Sequence, residues 1–243
     1  MTYSHLYPSS NNHIATVSLF SKLQNTSHLI VQGPWGSTSH FVSLIVTMPA
    51  LISVEWSLVS FRWPQTRLKQ INGLRRLIYT GPTAFSVGSA ALETNNLTDL
   101  IVASSSTLEH IDAQGKCMDL KSLSRHMFPN LFDLILRGAI YSTPEMVPIG
   151  AFISRAPQLR VLEIHLLSRP ILEFEVYPAL RPLPLFHPLH LRSLLIYDIV
   201  RGDQILRVLP RTLRSLSLLL GDYEYLYDAR CLLHQVFTIC EIF

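Results

Sequence analysis

The chain has 243 residues, of which 48% are hydrophobic and only 15% charged, an apolar load that excludes intrinsic disorder and suffices for a sizeable core. The formal net charge of +3 is too small for a nucleic-acid binder unless it is concentrated on one face. Three cysteines, Cys117, Cys231 and Cys240, are too few for a disulfide scaffold and lack zinc-ligand spacing, which points to a reducing compartment, cytoplasmic or nuclear.

The opening stretch, Met1 to Asn12, is polar and shows no basic run leading into an apolar core, so a secretory signal is not expected. Residues 41–61 carry a single charge, Glu55, and are long enough to span a bilayer. Pro49, Glu55 and several hydroxyl residues argue against a spanning helix. A single-span, membrane-associated protein using 41–61 is therefore the alternative reading, and no membrane association is the main one.

One phrase recurs along the chain: an apolar residue, two variable ones, an apolar, one variable, an apolar. It begins weakly at Thr26-x-x-Leu29-x-Val31 and continues as Leu51-x-x-Val54-x-Trp56, Leu74-x-x-Leu77-x-Tyr79 and Leu108-x-x-Ile111-x-Ala113. Later copies are Leu131-x-x-Leu134-x-Leu136, Leu159-x-x-Leu162-x-Ile164, Leu191-x-x-Leu194-x-Ile196 and Leu213-x-x-Leu216-x-Leu218. Leucine fills the first place in every copy but the weak one. Successive copies lie roughly 22–34 residues apart, close to the period of about 20–29 residues, with occasional longer insertions, of leucine-rich repeats. Glycine follows the phrase at Gly33, Gly81, Gly115 and Gly138, where a chain leaving a strand can exploit positive φ.

The stretches before the strands support the same period. Leu44 to Leu51 and Phe152 to Leu159 each read as a last helical turn, a proline that ends it, and then a strand, and Ile205 to Leu213 has the same shape. Leu97 to Ala103 places apolar residues at helical spacing and fits the helical slot of the longest step. The expected fold is α/β: a leucine-rich-repeat solenoid, or horseshoe, of about eight irregular repeats, with a parallel concave sheet and helices or loops on the convex side. One domain over 1–243 is expected, with clear repeats over 26–221.

The phrases Asn130 to Gly138, Pro157 to Ile164 and Leu209 to Leu218 resemble the leucine-rich-repeat region of fungal F-box proteins. That resemblance implies a horseshoe that holds a target while an N-terminal F-box docks onto a ubiquitin-ligase scaffold. The stretch ahead of Thr26 is too short for an F-box, so scaffold docking is expected only if one lies upstream. The apolar end, Thr238 to Phe243, suggests truncation there as well.

No catalytic constellation stands out. Gly33 to Thr38 lacks the lysine of a phosphate-binding loop, and His187 and His190 have no cysteine or carboxylate beside them, so neither a cofactor nor a metal is expected. Asn25-Thr26-Ser27 and Asn96-Leu97-Thr98 match glycosylation sequons by chance on this reading. The Pro-rich run from Tyr177 to Pro188 reads as an outer-face loop, and Ala229 to Ile239 as a final helix after an acidic aromatic stretch.

What remains is a non-enzymatic protein–protein interaction module. Its variable strand positions should project from the concave face and include Arg75, Arg76, Glu109, His110, Asp112, Asp133, Arg160, Glu163, Arg192, Tyr197 and Arg214. Of these, Arg76, His110, Asp133, Glu163, Tyr197 and Arg214 are the candidate contacts to a protein ligand, with Tyr197 as aromatic anchor and no role for nucleic acid.

Overall fold

The computed structural model describes residues 2–3, 25–32, 45–57, 66–81, 89–137, 151–165, 190–197 and 211–219. The chain divides into two compact units, Met1–Asp119 and Leu120–Phe243.

In the first unit, strands β1 (Thr2–Tyr3), β2 (His28–Gln32), β3 (Ser53–Ser57), β4 (Arg76–Thr80) and β5 (His110–Gln114) form an all-parallel sheet in sequence order. A 3-10 turn at Thr66–Gln70, helix α1 (Ser89–Ala103) and a second 3-10 turn at Gly115–Cys117 complete it. The second unit opens with a single helical turn, α2 (Leu120–Leu123), and carries the parallel strands β6 (Asp133–Arg137), β7 (Val161–His165), β8 (Ser193–Tyr197) and β9 (Ser215–Leu219). The fold is thus α/β with parallel strands and few helices. Strand β1 has no counterpart in the repeat pattern of the sequence.

Each of the eight phrases coincides with one strand, and their middle apolar residues stand in register. Leu29, Val54, Leu77 and Ile111 are successive partners in the first unit, and Leu134, Leu162, Leu194 and Leu216 in the second. The fourth and sixth positions of the phrase point into the core, where Trp56, Tyr79, Leu136, Ile164 and Ile196 are buried. Burying such side chains contributes about 1.5–3 kcal/mol each.

The first position poses a geometric problem. A strand alternates its side chains, so residues three apart cannot both face inward. The backbone resolves this with a repeated fork. The Ile52 carbonyl accepts the N–H groups of both Arg75 and Arg76, at 2.8 and 3.1 Å. The Arg75 carbonyl accepts those of Glu109 and His110, at 2.8 and 3.0 Å. Ser27, Phe132, Arg160 and Arg192 repeat the arrangement with the strand that follows each. One carbonyl thus serves two successive N–H groups while the register stays one to one, and the strict alternation of a strand does not hold between the first and fourth positions. Leu51, Leu74, Leu108, Leu131, Leu159 and Leu191 thereby join the core.

Prolines shape the approach. The turns Met48-Pro49-Ala50-Leu51, Phe128-Pro129-Asn130-Leu131 and Ala156-Pro157-Gln158-Leu159 are each closed by the last N–H donating to the first carbonyl, at 3.2, 3.3 and 3.1 Å. Proline occupies the second turn position, for which its fixed φ is suited. Leu97 to Ala103 is helical as expected, within α1. That helix buries Leu97, Leu100 and Ile101, and also the polar Glu93, Asn96 and Thr98. The Thr98 hydroxyl accepts the Asp119 N–H at 2.9 Å.

Two readings of the sequence meet the structure here. First, the described part of 41–61, residues 45–57, follows the main reading and not the alternative of a spanning helix: 45–46 are helical, Pro49 lies in a turn, and Ser53–Ser57 is a strand. Among the described residues no helix is long and apolar enough to cross a membrane. Second, Gly81 does not use positive φ. A Cβ there would lie 3.1 Å from Tyr79 Cε1 and 3.3 Å from both Cys117 Sγ and Gln114 Oε1, so the position is crowded and a side chain would have to displace these neighbours by a few tenths of an ångström. Residues 177–188, 205–209 and 229–239, with Gly33 and Gly138, lie outside the described residues.

Candidate functional site

The fork and the strand pleat together sort the variable positions into columns. The third, fifth and seventh positions share the face opposite the core, and the second position borders it just ahead of each strand. Neighbouring strands of a sheet lie about 4.8 Å apart, so each column is a row of adjacent side chains.

The fifth-position column alternates in chemistry. In the first unit Ile30, Glu55, Ile78 and Asp112 are successive register partners. In the second unit Ile135, Glu163 and Leu195 follow the same order, then Ser217. Within each unit, the carboxylates therefore have aliphatic neighbours in the column and no acidic one. All of these side chains are half-buried except Asp112, which is buried. In the seventh-position column, the hydroxyls of Ser57 and Thr80 are hydrogen-bonded at 3.2 Å.

The second-position column differs between the units. In the first it runs Ser27, Ile52, Arg75, Glu109, and Arg75 Nη1 lies 3.5 Å from Glu109 Oε1. In the second it runs Phe132, Arg160, Arg192, Arg214, with the Arg160 guanidinium 5.6 Å from the centre of the Phe132 ring.

Among the candidate contacts, Arg76 and His110 are third-position residues and direct register partners on β4 and β5. Asp133 opens β6 opposite Val161, while Glu163 is opposite Ile135, so these two acids stand diagonally and not face to face. Tyr197 ends β8 in register with His165 and Leu219. Arg214 belongs to the bordering column, beside Arg192. The expected contacts thus fall into separate columns and do not form one cluster. Glu55, Ile78, Ile135 and Leu195 were not expected; three of them are aliphatic, and an aliphatic residue in a leucine-rich sequence reads as core.

Among the described residues no group of three or more His, Cys, Asp or Glu could hold a metal ion. His190 is exposed, and the Cys117 thiol is buried, donating to Gln114 Oε1 at 3.7 Å. Asn96 is buried in α1, which rules out a glycan at that sequon in the folded chain. No family model matches the chain, and no curated protein matches it.

Proposed function

We propose that the chain is a non-enzymatic, protein-binding module of the leucine-rich-repeat type, with its exposed strand face as the binding surface. The solenoid reading is supported by the coincidence of phrase, strand and register in both units. The observation that carries the binding function is the fifth-position column, where half-buried aliphatic and carboxylate side chains alternate from strand to strand. Its acidic members disfavour a phosphate backbone and favour a protein ligand.

The particular role we assign is target recognition within an F-box-type ubiquitin-ligase adaptor, in the cytoplasm or nucleus. It rests on the resemblance of the Asn130 to Gly138 and Pro157 to Ile164 phrases to fungal F-box proteins. Scaffold docking belongs to this role only if an F-box lies upstream.

Charge reversal tests the binding surface. The double variant D133K/E163K, checked for fold by circular dichroism, should lose the proteins that the intact chain retains on an affinity column. A reversal on the exposed helical side, K121E, should keep them. Equal retention by all three proteins would refute the reading. Mapping the 5′ end of the transcript tests the adaptor role: an in-frame F-box supports it, and a start at Met1 removes it.

A further inference from the structure

The second-position column of the second unit is a row of three arginines. Arg160, Arg192 and Arg214 occupy the same place in successive repeats because each is pinned by the fork. The Arg160 carbonyl accepts Arg192 N–H at 2.8 Å, and the Arg192 carbonyl accepts Arg214 N–H at 2.8 Å. All three side chains are exposed. Across two strand spacings the row extends about 10 Å.

Like charges on adjacent strands repel, so such a row weakens the sheet it stands on. The first unit avoids this, since Arg75 is answered by Glu109 at 3.5 Å. Among the described residues no carboxylate comes within salt-bridge distance of Arg160, Arg192 or Arg214. Arg160 touches the ring of Phe132, which orients the guanidinium and leaves its charge uncompensated. Guanidinium groups bind carboxylates through two parallel hydrogen bonds, a geometry that favours a specific anionic partner over diffuse counter-ions.

We infer that Arg160, Arg192 and Arg214 form a docking strip for an acidic peptide segment, one with aspartate and glutamate side chains clustered over a short extended stretch. An extended chain advances about 3.4 Å per residue, so about four residues span the row. The inference deepens the proposed function and rests on the reading that this side of the sheet takes a protein ligand.

Fluorescence anisotropy on the full chain tests it, with fluorescein-labelled hexaglutamate as probe, hexalysine as control and oligothymidylate as competitor. Hexaglutamate should bind at least about tenfold more tightly than hexalysine, and binding should weaken as salt is raised. The variant R160S/R192S/R214S should lose at least about tenfold in affinity, given roughly 1 kcal/mol or more for each charge-assisted contact. Serine suits this place, since Ser27 occupies it in the first repeat. K121S, on the exposed side of α2, should bind as the intact chain does. If the triple variant misfolds by circular dichroism, R192Q alone should still lose about fivefold. Equal binding of hexaglutamate and hexalysine would overturn the strip, as would full affinity in a folded arginine variant or preferred binding of oligothymidylate. A chain that holds its protein ligand through Asp133 and Glu163 yet ignores hexaglutamate would overturn the strip alone and leave the broader reading standing.

Discussion

The carbonyl oxygen of Arg160 accepts the backbone N–H of Arg192 at 2.8 Å, and Arg192 in turn accepts that of Arg214 at the same distance. A shared backbone device therefore stacks three cations on one edge of a sheet, whatever their side chains prefer. It is the same device that accompanies burial of the first, fourth and sixth places of the phrase from β3 to β8. The arginine row is a consequence of how the repeats are joined, and among the described residues no carboxylate pairs with it.

The turn ahead of β5 is tied to the preceding repeat by hydroxyls. Ser104 Oγ donates to the Ile71 carbonyl at 2.9 Å and is buried, and Thr107 Oγ1 donates to the Leu74 carbonyl at 2.8 Å. Thr212 makes the equivalent bond to the Leu191 carbonyl, also at 2.8 Å. S104A should cost about 1–3 kcal/mol, because it strands a buried acceptor, while T107V and T212V should each cost about 1 kcal/mol. Urea denaturation of the three variants checks the order.

Two glycines separate crowding from freedom. Gly81 has three heavy atoms at 3.1–3.3 Å from where a Cβ would sit, whereas Gly73 has nothing within 4 Å. G81A should destabilise by about 1–3 kcal/mol through overpacking. G73A should be neutral or stabilising by up to about 1 kcal/mol, because alanine restricts the unfolded chain. Thermal melts of the two variants should shift in opposite directions, or the second not at all.

Phe128 and Phe152 meet edge to face in the core of the second unit, with ring centres 5.1 Å apart and planes at 82°. Both are fully buried. F128L and F152L should each destabilise, and their double-mutant cycle should show a coupling of about 0.5–1.5 kcal/mol. Additive losses would mean that the ring geometry contributes nothing beyond burial.

Ion pairs in the first unit are predicted to matter little. Lys69 Nζ lies 3.3 Å from Asp99 Oδ1, with both side chains exposed to solvent, and the Arg75–Glu109 pair is of the same kind. K69A and R75A should each change stability by less than about 1 kcal/mol, and less still at high salt.

Strand positions and register were legible because the apolar phrase is tied to the backbone: Leu77 and Ile111 are separated by the longest step in the repeat and are still partners in the sheet. The helix that fills this long step was legible from Leu97, Leu100 and Ile101. Its buried Glu93 and Asn96 were not, since polar residues on a helix signal a solvated face until packing is seen. The outward-facing columns were half legible. Charged members such as Asp133 and Glu163 stand out in a leucine-rich chain, but Ile78, Ile135 and Leu195 look like core residues there. The arginine row emerges only when Arg160, Arg192 and Arg214 are aligned by repeat, because a whole repeat, unequal in length, separates each from the next.

Site-specific photocrosslinking tests the binding surface most directly. Benzoylphenylalanine placed at Ile78 or Leu195, on the exposed strand face, should capture a protein ligand, and the same group at Asn95 or Lys121, exposed on the helices, should not. Capture from Asn95 and Lys121 with none from Ile78 and Leu195 would contradict the assignment, and the strand face would no longer be the binding surface.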